Sequence, residues 1–472
     1  MERILPKVNK VHLIGVGGAG MSGLAFLLQD KGFLVQGSDI KKTSKTAMLE
    51  KRGIKVYLGH KRANIDESID LLCYSSAIGL DNSELKEAER RKIRIIKRGE
   101  LLAYLCKNTK MIAVAGSHGK TTVVSLLSYL FKKAGYNPTV FIGGVPVDGS
   151  LPAFEGEGFS IVETDESDGT FLYYRPYFSL ITNIDKEHLG YYKSFKNLKK
   201  SFQDFAEKTE RKVFGNSDDN QVRKIVNKLG GVSFGLGNNC YLKAKNIDMH
   251  QKAGSAKDKD LKAFTYFDLY KEDKLLFKVK SPLLGKHNCY NLLAVFAVFD
   301  YLGEDLEKIK NYLVDFRGTK RRFQIKKEIF GLTFIDDYAH HPTEIRATLE
   351  TARRLSGKRL FAIFQPHRPS RVKSLFDQFS LSFNQADLVV VTDIYRAGES
   401  YSEGINSLKL VKAIRNQGAK SVIYINKEEL KSKIPEMIQK EDVVVCLGAG
   451  DINKRLEEII DGFRENKNKE KC

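Results

Sequence analysis

Ala113-Val-Ala-Gly-Ser-His-Gly-Lys-Thr-Thr122 is the stretch on which the reading of this chain turns. An apolar run breaks into a glycine-flanked turn and ends in Lys-Thr. An apolar helical pattern follows from Val123 to Ala134, and Gly135 stops it. Strand, glycine turn and helix start make a phosphate cradle: glycines let backbone N–H groups approach the ligand, and the helix N-terminus adds partial positive charge. In such a loop Lys120 reaches the outer phosphates and Thr121 holds Mg²⁺. The general pattern G-x-x-x-x-G-K-[ST] has its first glycine where Val114 stands, and the turn carries Gly116 instead. The loop is therefore a variant, with Gly116, Ser117, His118, Gly119, Lys120, Thr121 and Thr122 as the expected nucleotide contacts.

Downstream of this loop the informative residues sit at strand ends. Ser160-Ile-Val-Glu163 reads as a strand running into Thr164-Asp-Glu-Ser-Asp168, which places four acids in six residues. Carboxylates at that position beside a phosphate loop suit Mg²⁺, which takes few protein oxygens and keeps water and phosphate as its other ligands. A second strand, Phe178 to Thr182, delivers Asn183-Ile-Asp-Lys-Glu-His188 toward the same crevice. From Val213 to Lys280 the text is strand-like and uneven, with 251–260 reading as an exposed polar loop. Gly285-Lys-His-Asn-Cys-Tyr-Asn291 then introduces an apolar helix, Leu292 to Leu302, whose first-turn polar groups suit a base edge. The connector Phe316 to Arg322 is basic and contains a glycine.

Upstream, residues 1–107 read as a first α/β unit. Val11 to Gly15 is a short strand, Gly15-Val-Gly-Gly-Ala-Gly20 a glycine turn, and Met21 to Asp30 a helix. The strand Val35 to Asp39 ends in Ser38-Asp39 about 20 residues after the turn, where a dinucleotide fold carries its ribose-binding acid. Further strands are expected at Lys55 to Leu58, Leu71 to Ser75 and Arg94 to Lys97. On these residues NAD, FAD or a plain tight strand-to-helix contact all remain open; diphosphate binding at a helix N-terminus is what they support.

Residues 323–472 again alternate strand and helix, which predicts a further parallel-sheet domain. Strands are expected at 333–335, 359–364, 388–392, 421–425 and 443–447. Their ends carry Asp336-Asp-Tyr-Ala-His-His341, Gln365-Pro-His-Arg-Pro-Ser-Arg371, Tyr395-Arg-Ala-Gly-Glu399 and Gly448-Ala-Gly-Asp451. Ligands of open α/β sheets bind at the carboxyl ends of strands, so these clusters point to one site. Residues 465–472 read as a disordered tail.

The chain has 472 residues, enough for two to four domains, and its 42% hydrophobic and 29% charged composition is that of a soluble globular protein. No apolar run approaches the roughly 18 residues that span a bilayer, and no signal-peptide pattern opens the chain, so a cytoplasmic protein without membrane insertion is expected. The six cysteines form no CxxC pair, which favours free thiols. The net charge of +20 comes from scattered pairs such as Lys41-Lys42, with no aromatic-interleaved stripe. That pattern is a solvated surface with room for nucleotide ligands, and no nucleic-acid partner is expected.

Six segments in this order resemble the Mur ligases, across essentially the whole chain. Gly116 to Thr122 is similar to their ATP loop, Glu163 to Asp168 and Asn183 to His188 to their Mg²⁺ motifs, and Gly285 to Asn291 to their adenine-side segment. Asp336-Asp-Tyr-Ala-His-His-Pro-Thr-Glu344 and Phe364-Gln-Pro-His-Arg368 are similar to signatures of the alanine-adding branch. The resemblance implies three α/β domains: a Rossmann-like one for UDP at 1–107, a central P-loop ATPase domain at 108–322, and a C-terminal Rossmann-like one for the amino acid at 323–472. It implies ATP-dependent ligation of L-alanine to UDP-N-acetylmuramate through an acyl phosphate, in peptidoglycan precursor synthesis, by a monomer or dimer.

Residue by residue, the resemblance assigns Gly15, Gly17, Gly18, Gly20, Ser38, Asp39, Ser75 and Ser76 to UDP in place of a nicotinamide. Lys120 and Arg322 meet the γ-phosphate, and Thr121, Glu166 and His188 the Mg²⁺ ions. His287 and Asn291 hold the adenine, and Asp337 the ribose. Tyr338, His340 and Arg371 position L-alanine, and His340 or a nearby group takes the proton that its amine loses. Glu187 stands where the family usually has Asp, and Pro369 where Tyr is usual, which moves Arg368 away from helical geometry.

Overall fold

The structure, a computed structural model, describes residues 8–148, 152–252, 262–355, 359–400 and 404–469. Three sheets organise it. The first contains β1 (Lys10–Ile14), β2 (Leu34–Asp39), β3 (Lys55–Leu58), β4 (Leu71–Tyr74) and β5 (Arg94–Lys97), in the order β3-β2-β1-β4-β5. All its pairings are parallel. β1 is buried almost throughout, as a central parallel strand covered on both faces must be, and this is why it reads as an unbroken apolar run. The strand order reverses between β1 and β4. The carboxyl end of β1 carries the glycine turn and that of β4 carries Ser75-Ser76, so both flank the switch-point crevice where open α/β sheets bind ligands.

The second sheet contains β6 (Lys110–Ala115), β7 (Thr139–Phe141), β8 (Ala153–Phe154), β9 (Phe159–Glu163), β10 (Phe178–Ile181), β11 (Lys212–Asn216), β12 (Val232–Gly235), β13 (Leu242–Lys252), β14 (Lys262–Lys271) and β15 (Lys274–Ser281). β6 lies between β10 and β9, parallel to both, so the phosphate loop is flanked by the two strand ends that carry the acids. Within the uneven stretch after Val213, the structure adds a helix, Asn220–Lys228. Asp219 caps it by accepting the N–H groups of Gln221 and Val222, and Val222, Ile225 and Val226 form its buried stripe. Of the expected polar loop, Gln251 and Lys252 end β13, and residues 253–260 lie outside the described residues.

The third sheet contains β16 (Gln324–Ile329), β17 (Leu332–Asp337), β18 (Leu360–Phe364), β19 (Leu388–Val391), β20 (Val422–Tyr424) and β21 (Val443–Leu447), ordered β16-β17-β21-β18-β19-β20. It is parallel except for β16, which pairs antiparallel with β17 through a register shift between Ile325 and Lys327. β16 escapes a search for apolar runs because an edge strand that protects itself with lysines carries a polar sequence. The expected disordered tail is helical as far as Lys469, in Ile452–Lys469. A helix anchored by buried Leu456, Ile459, Ile460 and Phe463 adds further turns at little cost, since nucleation is already done. Glu470 to Cys472 lie outside the described residues.

The chain packs into two compact units. One comprises Met1–Lys245, Asp268–Phe277 and Tyr290–Arg317; the other comprises Asn246–Phe267, Lys278–Cys289 and Gly318–Cys472. In the first unit one apolar core runs from Leu24, Leu27 and Leu28 behind the first sheet to Phe141, Val162 and Phe171 around the second. Packing is thus continuous across residue 107, where a domain boundary is expected. The core of the second unit lies on both faces of the third sheet, with Ile335, Phe364 and Val445 on one and Phe334, Ile363 and Val444 on the other. Cys73, Cys106, Cys240, Cys289 and Cys446 are buried free thiols. No described helix is long and apolar enough to cross a membrane.

Candidate active site

The first glycine turn is held by its neighbour β2. The N–H groups of Gly15 and Val16 donate to the carbonyl oxygen of Ser38 at 2.8 and 3.0 Å. The N–H of Gly17 donates to Asp39 Oδ2 at 2.9 Å. Gly15 has φ +78°, a conformation open mainly to glycine. The helix Ala19–Asp30 begins at Gly18 with no side-chain cap, which leaves its N-terminus available to a ligand anion. Ser38 is fully buried; its hydroxyl donates to Glu84 Oε2 at 2.5 Å and lies 2.9 Å from His60 Nδ1. Ser38 and Asp39 therefore shape the turn, Ser38 through its backbone and Asp39 through its carboxylate.

The phosphate loop is clamped from β10. Asn183 Oδ1 accepts the N–H of His118 at 2.9 Å, Asn183 Nδ2 donates to the His118 carbonyl at 3.0 Å, and Thr182 Oγ1 donates to the same carbonyl at 2.7 Å. Ser117 N–H reaches the Asn183 carbonyl at 3.1 Å. A Cβ on Gly116, whose φ is +135°, would lie 2.1 Å from Thr182 Oγ1, so no other residue fits there. Asp185 Oδ2 is 3.1 Å from His118 Nε2. Asn183 and Asp185, in the segment similar to the family's Mg²⁺ motif, thus hold the loop itself. Asn291 also reaches it: a Cβ on Gly119 would lie 2.6 Å from Asn291 Oδ1.

Lys120 starts the helix Lys120–Lys133 and folds back over the loop. Its Nζ donates to the Gly116 carbonyl, to that of Ser117 at 3.4 Å, and to Glu166 Oε1 at 2.7 Å. Burial pushes the Glu166 carboxyl well above its usual range, against the pull of Lys120. Thr121 Oγ1 donates to Glu163 Oε1 at 2.7 Å, and Glu163 Oε2 accepts the N–H of Gly143 at 2.6 Å. One ligand atom each from Glu166, Glu187 and His188 lie within 4.8 Å of one another, with His188 Nε2 at 3.8 Å from both carboxylates. Two carboxylate oxygens and an imidazole fit a divalent cation whose remaining ligands are phosphate and water oxygens. Glu187, which stands in the segment similar to the family's Mg²⁺ motif where Asp is usual, joins Glu166 and His188 here, although the residue-by-residue metal assignment did not include it.

The first glycine turn and the phosphate loop open onto one cleft of about 290 Å³. Gly18, Gly20, Ser75 and Ser76 line one part of it, and Lys120, Gly143, Glu163 and Asp165 another.

The second unit carries the remaining positions. Asp337 is buried at the end of β17, where its carboxylate accepts from the N–H groups of Phe323 and Ala339 at 3.0 and 2.8 Å and from Thr348 Oγ1 at 3.2 Å. Burial pushes it up to about 6 although Arg322 draws it down. Its bonds hold the backbone on either side. The guanidinium groups of Arg321 and Arg322 lie 4.9 and 5.1 Å from the Tyr338 ring centre. His340 Nδ1 lies 3.0 Å from the Tyr338 carbonyl oxygen and 3.3 Å from Glu344 Oε2, two acceptors that place the ring hydrogen on Nδ1 and the basic lone pair on Nε2.

Next to His340 stands His367, with ring centres 5.8 Å apart. His367 stacks on Tyr395 at 5.5 Å, and Arg371 Nη1 lies 3.2 Å from its Nδ1. Burial, with the charge of Arg371 adding to it, pushes His367 down to about 3, so its neutral ring accepts from the guanidinium. Tyr338, His340 and Arg371 are thus brought to one cluster, with His367 and Tyr395 as members the site assignment lacked. Arg368 has φ +66° before Pro369, in keeping with the expected departure from helical geometry, and its guanidinium faces Glu399 at 3.7 Å. His287 heads the helix Lys286–Tyr301, and burial pushes it down to about 4.

Over 98% of its length the chain is 40% identical to the UDP-N-acetylmuramate--L-alanine ligase of Persephonella marina, of which it covers 98%. The chain belongs to the Mur ligase family. Three family models match in order: "Mur ligase family, catalytic domain" at residues 10–110, "Mur ligase middle domain" at 114–299, and "Mur ligase, glutamate ligase domain" at 321–450. The UDP-N-acetylmuramate--L-alanine ligase of Caldanaerobacter subterraneus is 39% identical, with 99% of this chain and 100% of that one covered. Among solved structures, the UDP-N-acetylmuramate-alanine ligase of Thermotoga maritima superposes with a TM-score of 0.81 at 29% identity, covering 97% of this chain and 99% of that one. A murein peptide ligase from Psychrobacter arcticus shares the fold at 21% identity, with a TM-score of 0.69 over 96% of this chain and 98% of that one. The three-domain α/β architecture of the family is therefore the architecture of this chain.

Proposed function

We propose that this Mur ligase joins L-alanine to the carboxylate of UDP-N-acetylmuramate, using ATP and releasing ADP and phosphate, in peptidoglycan precursor synthesis. The observation that carries this reading is the cleft onto which both glycine turns open, because it offers a sugar diphosphate and a nucleotide triphosphate a common space. A carboxylate is a poor electrophile, so its oxygen first attacks the γ-phosphorus of ATP and ADP leaves. The alanine amine then attacks the carbonyl of the acyl phosphate, and phosphate leaves.

Gly15, Gly17, Gly18, Gly20, Ser75 and Ser76 receive the UDP diphosphate on backbone N–H groups and hydroxyls, while Ser38 and Asp39 hold the turn. Gly116 to Thr122 receive the ATP phosphates, and Lys120 neutralises the charge that develops on the transferred group. Glu166, Glu187 and His188 would hold Mg²⁺, which when bound shields the phosphate oxygens and so eases attack by an anion. Asn291 belongs with this unit; His287, Arg322 and Asp337 lie in the other and carry their nucleotide roles by resemblance.

In the second unit Arg371 grips the alanine carboxylate, Tyr338 borders the amino acid, and His340 Nε2 takes the proton that the amine loses. Sugar nucleotide and ATP are intracellular metabolites, so the reaction is assigned to the cytoplasm. Purified protein mixed with UDP-N-acetylmuramate, ATP, Mg²⁺ and single amino acids should release phosphate and form a new amide with L-alanine above all others. Turnover with a free tripeptide and none with alanine would transfer the chain to the peptide-recycling branch.

A further inference from the structure

Arg98 opens the helix Arg98–Leu105 that follows β5, and no motif singles it out. Its side chain is only 10% exposed, and Nη2 donates to Asp165 Oδ2 at 2.7 Å. The guanidinium also lies against the first glycine turn: a Cβ on Gly20 would come within 2.8 Å of Nη1. The next residue is Gly99, where a Cβ would sit 2.4 Å from Thr170 Cβ, so the helix start presses on the acid loop at two successive positions. Asp165 Oδ1 in turn accepts the N–H of Ser167 at 3.0 Å, and Asp165 precedes Glu166, which holds Lys120. Contacts thus run unbroken from Gly20 through Arg98 and Asp165 to Glu166, Lys120 and the phosphate loop. Gly20, Arg98, Lys120 and Asp165 all line the same cleft.

Two polyphosphates placed in one cleft repel each other unless a cation stands between them, since charges closer than a Debye length of about 8 Å are poorly screened. A buried arginine already tied to a carboxylate is such a cation, and its planar set of five donors leaves N–H groups for a second anion. Its ordering by one ligand also spares the other ligand that entropy. We propose that Arg98 is a positioning residue that couples the two nucleotide sites: anchored by Asp165 between the first glycine turn and the acid loop, it makes each polyanion raise the affinity for the other. This rests on the reading of the two turns as two nucleotide sites.

Calorimetry on the full-length protein tests it, with a non-hydrolysable ATP analogue and Mg²⁺ titrated with and without saturating UDP-N-acetylmuramate, and then in the reverse order. In the native protein each ligand should tighten the other by the same factor, about fivefold or more. Arg98→Met should bring that factor to one or below, lowering the coupling more than either separate affinity. Arg98→Lys should keep part of it. Asp165→Asn, which retains the arginine but loosens its anchor, should also reduce it. A factor of one in the native protein with both ligands bound overturns the proposal, as does an unchanged factor in Arg98→Met and Asp165→Asn. Equal losses of both separate affinities with the factor preserved would reduce Arg98 to a structural arginine and overturn it too. If one ligand fails to bind the native protein at all, the assignment of the two sites falls, and the coupling with it.

Discussion

The two glycine turns of the first unit follow the same strand-to-helix design and solve different problems. In Gly15–Gly20 the backbone is held by the carbonyl of Ser38 and the carboxylate of Asp39, and the turn itself contains no cation. In Gly116–Lys120 the loop is pinned by Thr182 and Asn183, and a buried lysine is folded across it onto Glu166. A diphosphate that is only gripped needs N–H groups and a helix N-terminus. A phosphoryl group that is transferred also needs charge that stays in place while its own charge redistributes, and a lysine pre-set by three acceptors meets that need without reorganisation.

The sharpest way to break this contrast is Lys120→Ala. Phosphate release should fall by about 10³-fold or more, on the order of 4 kcal/mol of transition-state stabilisation. UDP-N-acetylmuramate affinity should stay within about threefold, because no side-chain charge is removed from the first turn. Joint loss of both in calorimetry would show that the two turns are not separable.

The mirror-image change is Gly20→Ala, whose new methyl would meet Arg98 Nη1 at 2.8 Å. It should raise the KM for the sugar nucleotide about tenfold or more, with a smaller change in the KM for ATP. A change confined to ATP would invert the assignment of the turns.

Outside both turns, Arg371→Ala should raise the KM for alanine about tenfold or more, since the proposed site pairs this guanidinium with the alanine carboxylate, and leave the KM for ATP nearly unchanged. An ATP effect of equal size would make Arg371 a nucleotide residue.

The smallest effect is expected at Asp387, far in sequence from either turn. Burial alone would raise its carboxyl, but Lys420, the N–H of Leu360 and Arg353 outweigh it and hold the group at about 2. Its folded value lies below the unfolded one, so its stabilisation is present above about pH 4 and is lost as pH falls toward 2. Asp387→Asn should cost about 1 kcal/mol at pH 7, a difference that shrinks on acidification, while nucleotide affinities stay unchanged. Urea unfolding at pH 7 and pH 3 reads this directly; a cost that is the same at both would mean the charge contributes nothing.

The elements legible in the sequence were those whose cause is local. Parallel strands buried on both faces must be apolar runs, so β1, β6, β18 and β21 stood out, and glycine turns announce themselves because positive φ at Gly15, Gly116 and Gly119 excludes most other residues. Helix Asn220–Lys228 was missed beside long strands although its cap at Asp219 was written in the chain, and β16 was missed because edge strands are polar by need.

Sequence alone therefore determined the sheet-and-turn plan and the residues that a turn or strand end must carry: Lys120, the acids after β9, and the histidines and arginines after β17 and β18. Tertiary structure alone decided what those groups are tied to. Arg98 meets Asp165 across 67 positions, Asn183 meets His118 across 65, Ser38 meets Glu84 across 46, and Asp337 turns its carboxylate inward to Phe323. Periodicity carries no trace of such pairings, because a hydrogen bond between distant segments constrains only the type of its two ends, and it forms when the packing of the intervening helices and strands brings those ends within about 3 Å.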